Sequence, residues 1–165
     1  MAGAEVRAAA EGDRAAVATI VCAIAAAGET YALPRDLTAA AAEALWFEPE
    51  PVRVLVADLE GGVAGSARYG PVRPAGGDHV ATASFVVDPA LAGRGVGRAL
   101  GEAVLQRAAA DGYRALQFNA VVETNRAAVR LWESLGFDVL ATVPEAFRLP
   151  DGRHVGLHVM HRSLS

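Results

Sequence analysis

A mixed, mostly antiparallel central sheet flanked by helices in a single α/β domain is the fold class this sequence predicts. Three observations predict it. Hydrophobic periodicity switches between the strand and helix repeats in the order βααβββαβαββ, so helices interrupt runs of strands instead of following each one. The chain has 165 residues, which fits one domain over about 4–162, with no internal repeat and no linker long enough to separate a second core. Hydrophobic residues make up 53 %, much of it alanine, which is enough apolar surface for a packed interior.

Each element has its own signal. Ala4 to Ala9 reads as a short strand. Asp13 is a plausible N-cap for a first helix ending near Gly28, with Val17, Ile20, Val21 and Ile24 on one face. Glu29 to Asp36 is a loop marked by Pro34, and Leu37 to Phe47 is a second helix closed by Pro49 and Pro51. Arg53 to Asp58 and Val63 to Tyr69 form a hairpin around Gly61-Gly62. After the Gly/Pro loop Pro71 to Asp78, His79 to Val87 is a long strand stopped by Asp88-Pro89. A third helix carries Val96, Ala99, Leu100, Ala103 and Val104 as its apolar stripe and stops at Gly112. Ala115 to Val122 is a strand. Thr124 or Asn125 caps a fourth helix with Ala128, Leu131, Trp132 and Leu135 on one side, ended by Gly136. Phe137 to Val143 and His154 to His161 close the sheet around Pro150-Asp151-Gly152.

Composition excludes several function classes. The net charge of -4 argues against backbone-driven nucleic-acid binding, which needs a basic face. No run of about 18 apolar residues is present to span a bilayer. The apolar stretch Ala15 to Ala27 mimics a secretory leader, but Glu5, Glu11 and Asp13 cancel a positive leading segment, so we expect a cytoplasmic protein. The single cysteine, Cys22, lies in the apolar run Ile20 to Ile24 and reads as packing, and one thiol makes no internal disulfide. His154, His158 and His161 lack metal-ligand spacing, so no metal is expected.

The sharpest feature is the stretch from Val86 to Leu100, where a strand ends, a glycine loop follows and a helix begins. The first N–H groups of a helix have no internal partner and carry the positive end of its dipole, and glycine lets a phosphate approach them. Arg94 and Arg98 beside the loop can fork onto phosphate oxygens. A Walker A loop needs a lysine that is not here. A dinucleotide fingerprint needs GxGxxG, whereas Gly93, Gly95 and Gly97 are spaced GxGxG.

A second motif follows: Asn125-Arg126-Ala127-Ala128-Val129-Arg130-Leu131-Trp132-Glu133-Ser134-Leu135-Gly136-Phe137. Together, in this order and spacing, the two stretches resemble the pyrophosphate-binding motif and the NxxAxxx[aromatic]xxxGF motif of the GNAT superfamily of N-acetyltransferases. The resemblance runs from about Val6 to Met160 and implies a GNAT-type domain that binds acetyl-CoA as cosubstrate. It further implies that the backbone of Gly93, Arg94, Gly95, Val96, Gly97, Arg98 and Ala99 holds the pyrophosphate. Val86 and Val87 would face the pantetheine arm or acetyl carbonyl, and Asn125, Ala128 and Trp132 would flank the pantetheine. The two strands ending at Val87 and Val122 would splay around the thioester.

The chain departs from the family's pattern twice. Ala92 stands where a Gln or Arg is usual, which removes no backbone donor. Trp132 stands where a Tyr often protonates the leaving thiolate, and an indole N–H is no useful acid. General acid catalysis is typically worth roughly 10²–10⁴-fold, less than positioning can supply, so direct transfer in a ternary complex stays feasible. No Glu faces the cleft from His79 to Ser84. That leans towards an acceptor amine of low pKa, such as an α-amine at about 7.7–8.0 against about 10.4 for lysine.

Asn119 in the strand Leu116 to Val121 is a candidate orienting group or oxyanion donor. The loop after the first helix commonly builds the acceptor pocket in this fold, making Glu29 a candidate base and Tyr31, Arg35 and Trp46 candidate acceptor contacts. The FNAVVETN stretch is similar to a subgroup acting on small amino acids or their analogues. The expected partner is therefore a small-molecule amine, with homodimerisation left open. A protein N-terminal or lysine acetyltransferase and a non-catalytic coenzyme A-binding regulator are the alternatives.

Overall fold

Strands and helices follow the predicted order in the computed structural model, which describes residues 3–165. The strands are β1 (Glu5–Ala8), β2 (Arg53–Leu59), β3 (Gly62–Pro71), β4 (Val80–Val87), β5 (Ala115–Val122), β6 (Asp138–Arg148) and β7 (His154–Ser163). The helices are α1 (Arg14–Ala27), α2 (Ala39–Trp46), α3 (Val96–Ala110) and α4 (Arg126–Ser134). All seven strands form one sheet in the order β1-β2-β3-β4-β5-β7-β6, antiparallel except where β4 meets β5.

Alternation along the central strands sends side chains to two cores. Val56 and Val86 meet Val17, Ile20, Val21, Ala42 and Trp46 under α1 and α2. Leu55, Ala57, Leu116 and Phe118 meet Leu100, Val104, Trp132 and Leu135 under α3 and α4. Helices on both faces bury the sheet and leave its C-terminal strand edges to build a cleft.

Three local expectations are corrected. Asp13 does not cap α1 with its side chain. It accepts instead from the Ala10 N–H at 2.7 Å and from Arg7 at 2.7 and 3.0 Å, because a charged partner on β1 outcompetes a neutral cap. The second helix begins two residues late, at Ala39, because the Thr38 hydroxyl accepts from the Ala41 N–H and fixes the start there. The sixth strand runs on past Val143 to Arg148. β6 pairs only with β7 at the sheet edge, so Pro144 breaks no ladder bond, and the register shift between Val143 and Phe147 absorbs Glu145 at φ 53°.

Candidate active site

The cleft originates in a failure of strand pairing. β4 and β5 pair only at Val80–Ala115 and Ala81–Leu116. Beyond that, β5 carries a bulge: Asn119 and Ala120 stand opposite Val159 alone on β7, between the Phe118–Met160 and Val121–His158 pairs. An extra residue bends its strand and sharpens the local twist, which turns β5 away from β4. The opening is a cavity of about 630 Å³ lined by Thr82 to Val87, Phe118 to Val122, the glycine turn before α3 and one face of α4 that carries Ala128, Leu131 and Trp132.

One end of this cavity is the glycine turn. Gly93 and Gly95 adopt left-handed backbone, φ 77° and 84°, which a side chain there would strain. A Cβ on either would meet no atom within 4 Å, so the space beside the turn is open. The first helical bond of α3 runs from the Ala99 N–H to the Gly95 carbonyl at 3.0 Å. Among the described residues, the N–H groups of Gly93 to Arg98 donate to no carbonyl or side chain, leaving a cluster of donors at a helix N-terminus. This cradle fits a diphosphate by shape, charge and donor count.

At the other end the backbone of β4 is held by a tyrosine. The Tyr31 hydroxyl donates to the Phe85 carbonyl and accepts from the Phe85 N–H, both at 2.9 Å. These groups point away from β3 into the gap, where β5 would have paired them. Burial pushes the Tyr31 hydroxyl pKa up, so it is a neutral donor and acceptor. The Val87 backbone shares this edge by alternation. The cavity wall behind is aromatic: Trp132 lies 4.5 Å from Phe85 and 5.0 Å from Phe118 by ring centroids, and Phe118 stacks on Phe137 at 4.5 Å.

The predicted site residues divide. Val86, Val87, Gly93, Gly95, Val96, Gly97, Arg98, Asn119, Asn125, Ala128, Trp132 and Tyr31 all line the cavity. Asn125 caps α4 by accepting from the Ala128 N–H at 3.4 Å. Asn119 accepts from Gln117 Nε2 at 2.7 Å, which leaves its own amide N–H₂ to donate. Five predicted residues fall outside this cavity, Arg35 among them. Arg94 is forked onto Glu60. The Ala99 N–H closes the first helical turn instead of facing a ligand. Glu29 is exposed and lines no cavity, although Thr30 and Tyr31 beside it do. Trp46 is 2 % exposed, its indole donating to Ser66 Oγ at 2.9 Å while Ser66 donates to the Leu55 carbonyl, so it belongs to the core under α2.

Arg35 lines a second cavity of about 450 Å³ between the α1–α2 loop and the β6–β7 hairpin, which shares Tyr31, Ala32 and Phe147 with the first. The Phe85 backbone, Phe147 and Arg148 are the contributors that sequence reasoning missed. Strand alternation offered a signal for Phe85. Nothing local signals that a hairpin at the end of the chain reaches the first loop.

Among the described residues no Asp, Glu or His lines the larger cavity, so it offers donors, apolar walls and one arginine. Such a site can hold an anionic, extended ligand and polarise a carbonyl, but it cannot take a proton through a side-chain carboxylate or imidazole.

The model of the acetyltransferase (GNAT) family matches residues 19–137, a span that includes the glycine turn and the fourth helix. A GCN5-related N-acetyltransferase from Kribbella flavida is 51 % identical, with each chain 98 % covered and a TM-score of 0.92. The yncA protein of Salmonella typhimurium, solved with its cofactor acetyl-CoA, is 27 % identical over 99 % of this chain and 95 % of its own, with a TM-score of 0.86. The N-acetyltransferase aca1 of Schizosaccharomyces pombe is 29 % identical over 137 residues, covering 74 % of this chain and 66 % of that protein. The chain thus spans just under two thirds of that curated relative.

Proposed function

The chain belongs to the GNAT family of acetyltransferases, and from that premise we propose that it moves the acetyl group of acetyl-CoA onto the amine of a small molecule, an amino acid or analogue, by direct attack in a ternary complex. The observation that carries this reading is the continuous 630 Å³ cavity joining the donor cradle at α3 to the splayed backbone of β4. Acetyl-CoA, when bound, supplies an activated acyl group whose thiolate leaves as the amine attacks.

The residues divide the work. The N–H groups of Gly93 to Arg98, with the Arg98 guanidinium, receive the diphosphate. Val86 and Val87 line the path of the pantetheine, with Asn125, Ala128 and Trp132 on its other side. The Phe85 N–H, once released by Tyr31, is a backbone donor for the acyl carbonyl, and the Asn119 amide is a second. Once freed, such donors stabilise the developing oxyanion. With no side-chain carboxylate or imidazole at the cavity, the amine must arrive as free base or lose its proton to water, so the free-base fraction of the acceptor limits the rate.

The test is acetyl-CoA-dependent thiol release against amino acids, amino-acid analogues, polyamines and short peptides. A saturable hit among the small amines supports the proposal. Activity confined to peptide or protein amines replaces it with a protein acetyltransferase. Tight acetyl-CoA binding with no turnover on any amine replaces it with a coenzyme-binding regulator.

A further inference from the structure

We propose that the second cavity is an anion subsite for the acceptor, in which Arg35 and Arg148 receive a carboxylate or phosphonate carried by the amine. This rests on the acetyl-transfer reading above and specifies its substrate class. The cavity lies at the end of the coenzyme cleft opposite the glycine turn, and only Tyr31, Ala32 and Phe147 are common to both. An acceptor that meets the thioester without crossing the coenzyme enters from this side.

The lining carries unmatched positive charge. Arg35 and Arg148 both line the cavity, and among the described residues no Asp or Glu does. Seven of the fifteen arginines ion-pair with carboxylates; among the described residues Arg35 and Arg148 are two of the eight that do not, and they are the two that line this cavity. Two exposed guanidiniums lining one cavity that holds no carboxylate favour an anion there.

Arg35 is held in place. Its Nε donates to the Ala26 carbonyl at 2.9 Å, which leaves the terminal N–H groups free to fork. A Cβ on Gly28 would meet Arg35 Cδ at 3.2 Å and Pro150 Cγ at 3.3 Å, so the arginine stem and the hairpin turn close on the same glycine. Arg148 comes from that hairpin, two residues before Pro150. The site thus needs both ends of the chain.

The same charges answer the missing base. A guanidinium near an ammonium disfavours its protonated form and lowers its pKa. Anchoring the acceptor's anion beside two arginines therefore raises the free-base fraction of its amine. Because Tyr31 stands between the anion subsite and Phe85, the anion and the amine must be separated by a short chain.

The experiment compares each acid with its primary amide: α-amino acids, and a series from glycine through β-alanine and γ-aminobutyrate to 5-aminopentanoate. Amidation of an α-amino acid lowers its amine pKa, so an enzyme indifferent to the anion favours the amide. We expect the acids to be preferred, with an optimum within the series. Arg148→Gln should raise KM for the acids about ten-fold or more, with acetyl-CoA KM unchanged and partial recovery in Arg148→Lys. Arg73→Gln, at an exposed arginine outside both cavities, is the control and should change neither constant. Equal or better turnover of the amides, or a KM rise in Arg148→Gln that is the same for both, overturns the subsite while leaving acetyl transfer standing. If no small amine is acetylated, the acetyl-transfer reading fails separately. The subsite is then judged by titrating malonate and following the Arg35 and Arg148 Nε–Hε NMR signals. Shifts lost in Arg148→Gln support it, and no shift at millimolar malonate overturns it.

Discussion

At Phe85 a tyrosine hydroxyl takes the place of a neighbouring strand. Tyr31→Phe leaves the Phe85 N–H and C=O unpaired, which should cost the free protein about 1–3 kcal/mol. Acetyl-CoA would no longer compete with the hydroxyl for that N–H, so the thermal shift it produces should exceed that of the parent. Scanning fluorimetry with and without acetyl-CoA checks both, and a smaller shift would mean the hydroxyl helps hold the ligand. Trp46 makes the opposite case, an aromatic expected at the acceptor and found in the core. Ser66→Ala strands its buried indole N–H, while the Leu55 carbonyl keeps its place in the ladder opposite Ala67. The expected loss is about 1–3 kcal/mol in urea unfolding, with acetyl-CoA affinity retained. An affinity loss as large as the stability loss would return Trp46 to the site.

Two elements shape the glycine-turn end of the larger cavity. The turn before α3 works through backbone alone. Gly95→Ala forces a side chain into left-handed geometry at roughly 1–2 kcal/mol, whereas Gly95→Glu also places a negative charge where the free N–H groups converge. The second variant should lose acetyl-CoA binding in calorimetry while its far-UV spectrum stays native. Retained affinity would move the phosphate site elsewhere. α4 meets α3 at Gly101, where a Cβ would lie 2.8 Å from Leu135 Cδ1 and 3.0 Å from Trp132 Cζ3. Trp132 thus fills the seam between two helices and two splayed strands, which is why a residue useless as an acid is still needed there. Trp132→Ala should cost about 3–5 kcal/mol in chemical denaturation.

Two pH responses belong to the whole molecule. The Arg7 hydrogen bond, aided by the Ala10 amide, holds the Asp13 carboxyl below the usual carboxylate range against the opposing effect of burial. A depressed folded pKa contributes stability above the unfolded value of about 3.9 and loses it as pH falls through the lower folded value. Urea midpoints should therefore fall below about pH 4, and Asp13→Asn should flatten that fall. A variant as acid-sensitive as the parent would assign the effect to other carboxylates. The second response concerns turnover. With no carboxylate or imidazole at the cavity, kcat/KM should rise with pH along one limb whose midpoint follows the acceptor's amine. A midpoint that stays fixed across acceptors would reveal an enzyme base. All 15 basic residues are arginine, so lysine self-acetylation cannot confuse intact-mass assays on protein substrates.

Element order, the glycine turn and the α4 cap were legible in the sequence, because each rests on contacts within a few residues of chain: periodicity, a positive φ, a side chain reaching three residues on. So was most of the lining of the larger cavity, since it comes from short runs of β4, β5, α3 and α4. The acceptor side was not. Glu29 and Tyr31 are two residues apart, yet only folding decides that one lies in solvent and the other bonds to Phe85, 54 residues away. Trp46 left the expected pocket because Ser66, on another strand, offers its indole a buried acceptor. Arg35 and Arg148 share a cavity because the last hairpin closes against the first loop. Local spacing carries information about turns and periods, whereas polar partners and charge neighbours depend on which distant segments the sheet brings together.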